Sequence, residues 1–200
     1  MKLVTYIVDT QPANASQLSA LANHSGFQAV VFPSAQQFAM AFRQLDRGVA
    51  IIDMHVPDYP SLDLIALLKR EGYHHLPIGS SDDSSVRLGV EAMRAGAVNY
   101  LHRPLRSEEV SSALHEAYLS LVQIETGDSR RLKAAAQIKL LTGRQKEILR
   151  GLMAGERNNT MSTRLGLSQR TIEAYRKSMM ERLGAASVAE AVRIGLDGGV

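Results

Sequence analysis

Between Ser168 and Leu183 the chain reads SQRTIEAYRKSMMERL, four basic side chains laid over apolar residues at helical spacing. Ser168 is placed to cap a helix, with Thr171 in its first turn. Ile172, Met179 and Leu183 fall on one stripe with Tyr175 beside them. Arg170, Glu173, Arg176 and Lys177 stand opposite, around the small Ala174. An apolar back with an exposed basic front suits insertion into a DNA major groove. It also suits an ordinary solvated surface helix, so the helix alone leaves both readings open. A second group is Asp9, Asp53 and Arg103, each at or just after the end of a short extended run. Two acids and a guanidinium can simply pair as ions. No nucleophile stands with a base, so enzyme chemistry is not expected.

The neighbouring elements favour DNA. Asn158–Leu165 reads as a short helix with Met161 and Leu165 inward, and Gly166-Leu167 turns the chain into Ser168. Before it, residues 142–154 form a helix with Ile148, Leu149 and Leu152 apolar and Gly155 as stop. After it, residues 187–196 form a fourth, with Ala191, Val192 and Leu196 inward. Four short helices with a glycine turn before the third describe a helix-turn-helix domain. The pieces Leu141-Thr142-x-Arg144-x-x-Glu147-Ile148-Leu149, Ala154-Gly155-x-x-Asn158, Leu165-x-Leu167-Ser168-x-x-Thr171-Ile172-Glu173 and Leu183-Gly184-Ala185 resemble the LuxR-type helix-turn-helix. Gln145 stands where that family usually has an acid, Met161-Ser162 replaces an Ile-Ala pair, and Tyr175 takes a position usually held by His. The resemblance implies base-facing roles for Glu173, Ala174 and Lys177. It implies phosphate contacts from Arg164, Arg170, Thr171 and Arg176.

Two hundred residues give room for one or two domains. The absence of cysteine excludes disulfides and thiolate metal sites. The apolar run in MKLVTYIVDT ends at Asp9, too short for a signal peptide, and no segment approaches a membrane span. A soluble cytoplasmic protein is expected. Residues 1–122 hold 9 Lys/Arg against 12 Asp/Glu, residues 123–137 hold 3 against 2, and residues 138–200 hold 11 against 6. The basic excess therefore sits with the helix-turn-helix, behind an acidic first part.

That acidic part alternates. Extended pieces are expected at Leu3–Val8, Ala29–Phe32, Val49–Ile52, Pro77–Ser80 and Asn99–Leu101. Helices are expected at Ala13–His24, Ser34–Arg43, Ser61–Glu71, Ser84–Ala95 and from Ser107 onward, where Glu108-Glu109 suit a first turn. Five such pairs imply an α/β fold with a five-stranded doubly wound parallel sheet, whose functional edge is the carboxyl ends of the strands. Val8-Asp9, Ile51-Ile52-Asp53-Met54-x-x-Pro57-Asp58, Glu91-Ala92-Met93-Arg94-Ala95-Gly96-Ala97 and Tyr100-x-x-x-Pro104 resemble the flavodoxin-like receiver domain of FixJ-like response regulators. By that resemblance Asp53 is the phosphoacceptor, Ser81 or Ser80 the switch hydroxyl, and Tyr100 the switch aromatic. Asp9 and Asp53 would hold Mg²⁺, which needs oxygen ligands, while a lysine positions the phosphoryl group. Here Thr10 replaces the second acid of the family pair and Arg103 replaces the lysine. Mg²⁺ is therefore expected to bind weakly.

The apolar spacing 110, 114, 117, 121, 124 suits a helix–helix seam, with Leu121 and Ile124 as candidates for dimer contacts. Gly127-Asp128 is expected to interrupt that helix as a hinge, and Arg130–Lys139 to form a second short one. His55 and His102 could form a metal or pH-sensing site beside Asp53, or be rim residues. His74-His75 is expected to face solvent, and Met179-Met180 to pack in the core. The expected domains are a receiver over 1–122, a helical linker over 123–137 and a four-helix DNA-binding domain over 138–200. The expected function is a dimeric regulator on an inverted-repeat site in double-stranded DNA, with a receiver-like domain that controls dimerisation or exposure of the DNA-binding domain without phosphorylation. The alternative is a conventional phosphorelay regulator, phosphorylated on Asp53 by a histidine kinase.

Overall fold

The computed structural model describes residues 3–83 and 85–200, and the expected helical start at Ser84 lies outside them. The chain divides into two compact units, Met1–Gln123 and Ile124–Val200. In the first, strands β1 (Val4–Val8), β2 (Gln28–Phe32), β3 (Gly48–Asp53), β4 (His75–Ser81) and β5 (Asn99–His102) alternate with helices α1 (Pro12–His24), α2 (Ala35–Ala41), α3 (Ser61–Arg70) and α4 (Val86–Ala95). The strands pair in parallel in the order β2-β1-β3-β4-β5. Every residue of β1, β3 and β4 is buried. That explains why these strands read as continuous apolar runs rather than alternations. The order reverses around β1, so Asp9 and Asp53 follow or end the two strands that flank the switch point.

The expected helix at Ser34–Arg43 ends early, at Ala41, and a 3₁₀ turn takes over at Phe42–Gln44. Ser34 caps α2 by accepting from the Gln37 amide at 3.0 Å. Asp58, from the loop after Asp53, adds a second cap: it accepts from the Ser34 hydroxyl at 2.6 Å and the Gln36 amide at 3.0 Å. The Ser34 hydroxyl is the main reason the Asp58 carboxyl lies below its ordinary pKa.

His75 does not face solvent. Strand β4 begins two residues before the expected Pro77, so His75 pairs with Gly48 inside the sheet. It is fully buried between Tyr6, Phe38 and Phe42, at ring distances of 4.9, 5.7 and 6.2 Å.

Helix α5 (Ser107–Lys139) runs unbroken for 33 residues, through the expected hinge at Gly127. One helical glycine costs only about 1 kcal/mol relative to alanine, too little to break a long helix. Val110, Leu114, Ala117 and Leu121 form one buried stripe on it. Leu121 is thus committed to packing, and the expectation that it faces a second copy is corrected; Ile124 is half-buried.

The second unit adds α6 (Gly143–Met153), α7 (Asn158–Leu165), α8 (Gln169–Leu183) and α9 (Val188–Gly198) around Ile148, Leu149, Met161, Ile172, Met179, Leu183 and Ala191. Thr142, Ser168 and Ser187 cap α6, α8 and α9 through their hydroxyls. Gly166 takes φ +65°, the left-handed turn that glycine adopts without cost. In α9 the inward stripe is Ala191, Ile194 and Gly195. Gly195 lies against Met153 and Leu149, and the neighbouring Leu196 points away, 67% exposed. The expectation that Leu196 is inward is corrected.

Candidate functional site: acid pocket and groove-facing helix

At the carboxyl edge of the sheet the side chains of Asp9 and Asp53 are 1% and 2% exposed. Arg103, just past β5, reaches both. Its Nη2 donates to Asp9 Oδ2 at 2.6 Å and its Nη1 to Asp53 Oδ1 at 3.4 Å. The Arg103 side chain is 11% exposed, and its Nε is buried with no hydrogen-bond partner among the described residues. The Gln11 amide donates to Asp9 Oδ1 at 2.8 Å. Burial raises the pKa of the Asp9 carboxyl above its ordinary value, the Gln11 amide and Arg103 opposing and the Asp53 charge adding.

Two carboxylates bridged by one guanidinium do not fit a resident Mg²⁺. The ion demands near-octahedral oxygen coordination at about 2.0–2.1 Å, and the guanidinium already takes an oxygen of each acid. Among the described residues no group of three or more His, Cys, Asp or Glu could hold a metal. Thr10 contributes only a neutral hydroxyl and lines a cleft of about 530 Å³ with Asp9, Pro12, Ser16 and Val31.

Both candidate hydroxyls lie on β4. Ser80 is opposite Asp53 in the sheet register, fully buried, and its Oγ has no partner among the described residues. Ser81 ends the strand, where its Oγ accepts from the Asp83 amide at 2.9 Å and lies 3.3 Å from His55 Nδ1. The Tyr100 ring lies so close over Gly79 that a Cβ there would meet it at 2.7 Å. The phenol is half-buried, and burial is the main cause of its raised pKa. His55 and His102 are both exposed at the rim. His55 is 4.0 Å from Asp82, and His102 lines an apolar groove with Tyr100, Val86, Val90 and Met93. They do not form one site with the acids.

In the second unit α8 turns Ile172, Met179 and Leu183 inward and leaves Glu173, Ala174 and Lys177 exposed side by side. Arg170 is exposed and Thr171 half-buried, its amide bound by the Ser168 hydroxyl at 3.1 Å. Arg164 on α7 is exposed and pairs with Glu156 at 3.0 Å. Arg176 is half-buried and donates to the Asn158 side chain, which ties α8 to the start of α7. Sequence reasoning missed Gln145, which is 3% exposed. Its Oε1 accepts from the Thr142 amide at 3.0 Å, and its Nε2 donates to Ser178 Oγ on α8 at 2.7 Å. The Thr142-x-x-Gln145 spacing of a capping box was the available signal.

Residues 5–115 match the family described as response regulator receiver domain, and residues 139–194 match bacterial regulatory proteins, luxR family. The transcriptional regulatory protein FixJ of Azorhizobium caulinodans is 31% identical over 198 residues, covering 99% of this chain and 94% of that protein. The response regulator protein TodT of Pseudomonas putida is 27% identical over 191 residues, 96% of this chain and 84% of TodT. The solved response regulator StyR has the same fold, with a TM-score of 0.80 at 22% identity over 97% of this chain and 98% of its own. Full-length FixJ from B. japonicum superposes with a TM-score of 0.59 at 28% identity over 100% and 98%. The chain belongs to the response regulators that join a receiver domain to a LuxR-type helix-turn-helix, and it is a DNA-binding transcriptional regulator of that family.

Proposed function

We propose that this regulator reads an inverted-repeat DNA site as a homodimer in the cytoplasm, and that its receiver governs this without phosphoryl transfer to Asp53. On this reading the receiver occupies residues 1–122, the DNA-binding domain 138–200, and residues 123–137 form the helical linker. Glu173, Ala174 and Lys177 face base edges; Arg164, Arg170, Thr171 and Arg176 contact phosphates. Support for the groove role comes from the exposed row on α8 and from the basic excess of residues 138–200.

The observation that carries the mode of control is Arg103 lying across Asp9 and Asp53. A carboxylate nucleophile needs a free oxygen and a metal beside it to offset the charge of the incoming phosphoryl group. Here a guanidinium stands in that place. A second reading, phosphorelay from a histidine kinase, draws support from Asp53 ending β3 with Ser81 ending the adjacent β4. Intact mass after incubation with acetyl phosphate and Mg²⁺ decides between them. An unmodified chain, together with Asp53→Asn that binds DNA like the parent, supports control without phosphate. Modification of Asp53 within minutes establishes the second reading. Footprinting tests the dimer, with protection of two half-sites about one helical turn apart expected and protection of a single half-site refuting it.

A further inference from the structure

We infer that Arg103 is the resident cation of the acid pocket: its guanidinium takes the place a divalent ion would fill and shuts that ion out. The inference rests on the same bridge as the phosphate-independent reading, but it concerns what blocks the metal. Thr10 removes one acid, and on ligand count alone that loss would explain weak Mg²⁺ binding. The geometry assigns the block to occupation instead. Asp9 and Asp53 remain buried, facing one another's charge, and each gives an oxygen to Arg103. One positive charge answers two negative ones, so the pocket keeps the electrostatic character of a divalent site. The Arg103 Nε is left buried without a partner among the described residues, and so is Ser80 Oγ, opposite Asp53 in the register. A guanidinium placed for its own hydrogen bonding would not orphan an N–H in this way. Its position follows the two carboxylates.

The competition has a distinctive consequence. Thr10→Asp adds a third acid but leaves the guanidinium in place, so it should not create a metal site. Arg103→Ala removes the occupant and adds no ligand, yet it should create one. Arg103→Met, which keeps most of the side-chain stem, serves if truncation loosens the fold.

The test is Mn²⁺ binding to the full chain, read from the paramagnetic signal of the free ion, with melting temperature in EDTA and in millimolar Mg²⁺ as a second readout. Arg103→Ala or Arg103→Met should bind one Mn²⁺ at least tenfold more tightly than the parent. The variant should melt lower than the parent in EDTA and recover in Mg²⁺, while the parent melts alike in both. Adding Asp53→Asn should abolish the gained binding. Equal Mn²⁺ affinity in parent and variant overturns the inference. So does a tighter gain from Thr10→Asp than from Arg103→Ala, or a variant that stays unfolded with Mn²⁺ present. Phosphate on Asp53 of the parent overturns the phosphate-independent reading, whereas the Mn²⁺ comparison, made without a phosphoryl donor, decides the block by Arg103 separately.

Discussion

Arg103 and Asp9 meet at 2.6 Å although 94 residues separate them in sequence and β3 and β4 lie between their strands in the sheet. The guanidinium therefore fastens β5 to β1 across the open edge where the strand order reverses. Both groups are out of water, so the pair's net worth is modest while the cost of removing one partner is large. Asp9→Ala should lower the unfolding free energy of the receiver by about 3–5 kcal/mol. Asp53→Asn should cost less, because its contact with Arg103 is 3.4 Å and the Asp9 bond survives. Urea midpoints at unchanged slope measure both. Equal losses would mean that Arg103 is shared evenly, contrary to the distances.

On α8 the two adjacent cations should behave differently. Lys177 is exposed beside Glu173 and Ala174, so Lys177→Ala should weaken specific DNA binding by about 1–3 kcal/mol and relax discrimination at one base position. Arg176 also holds Asn158, so Arg176→Ala should weaken binding on every sequence and lower the melting temperature of the domain. Titrations against specific and random duplexes at several salt concentrations separate the two effects. Equal loss on both duplexes for Lys177→Ala would remove it from the base-reading set.

Gln145 fastens α6 to α8 and caps α6 at the same time. Gln145→Ala should cost about 1–2 kcal/mol, since it deletes a cap and leaves Ser178 short of a partner. Gln145→Glu keeps the acceptor for the Thr142 amide, and the Ser178 hydroxyl can reverse its role and donate to the carboxylate. It should cost less than alanine. Thermal melts of the three proteins rank the effects, and a glutamate variant as unstable as alanine would contradict the reversible Ser178 bond.

The parts of the molecule legible in the sequence were those written in short-range patterns. Apolar runs ended by acids gave the buried strands β1 and β3, because a parallel sheet covered on both faces needs no alternation. Ser168 and Gly166 marked the start of α8 because capping and left-handed turns are chemistry of one or two residues. Asp9, Asp53 and Arg103 could be placed at strand ends for the same reason. Their mutual distances could not, since those depend on strand order and on which rotamer a long arginine takes among several acids. Leu121 differs from expectation because spacing identifies a helical stripe without saying what covers it. Leu196 differs because the inward face of α9 turns on the small Gly195, which packs against Met153 and Leu149 where a hydropathy pattern favours the leucine beside it. Gly127 suggests a break because propensity is a local cost, and 33 residues of helix override it.

The misread His75 leads to a pH prediction. Its ring is fully buried, both nitrogens lack hydrogen-bond partners among the described residues, and its surroundings are Tyr6, Phe38, Phe42 and the second imidazole of His74. Burial pushes its pKa from 6.5 down to about 3, with the charges of His74 and Arg47 acting in the same direction. Hydrogen bonds nearby go elsewhere: Tyr6 donates to the Asp46 carbonyl, and His74 Nε2 lies 2.9 Å from the Leu45 carbonyl. The unfolded chain therefore takes up a proton at this position before the folded one does. Stability from this group is full above pH 6.5 and is lost as the pH falls from there toward about 3. The slope approaches about 1.4 kcal/mol per pH unit in that window. His75→Leu should remove this component of the slope. At neutral pH it should be neutral or stabilising by about 1 kcal/mol, because two unsatisfied nitrogens leave the core. Urea unfolding of parent and variant at a series of pH values from neutral to acid gives the difference curve directly. A variant that loses stability with pH as steeply as the parent would show that His75 is already protonated or hydrogen-bonded in the folded protein.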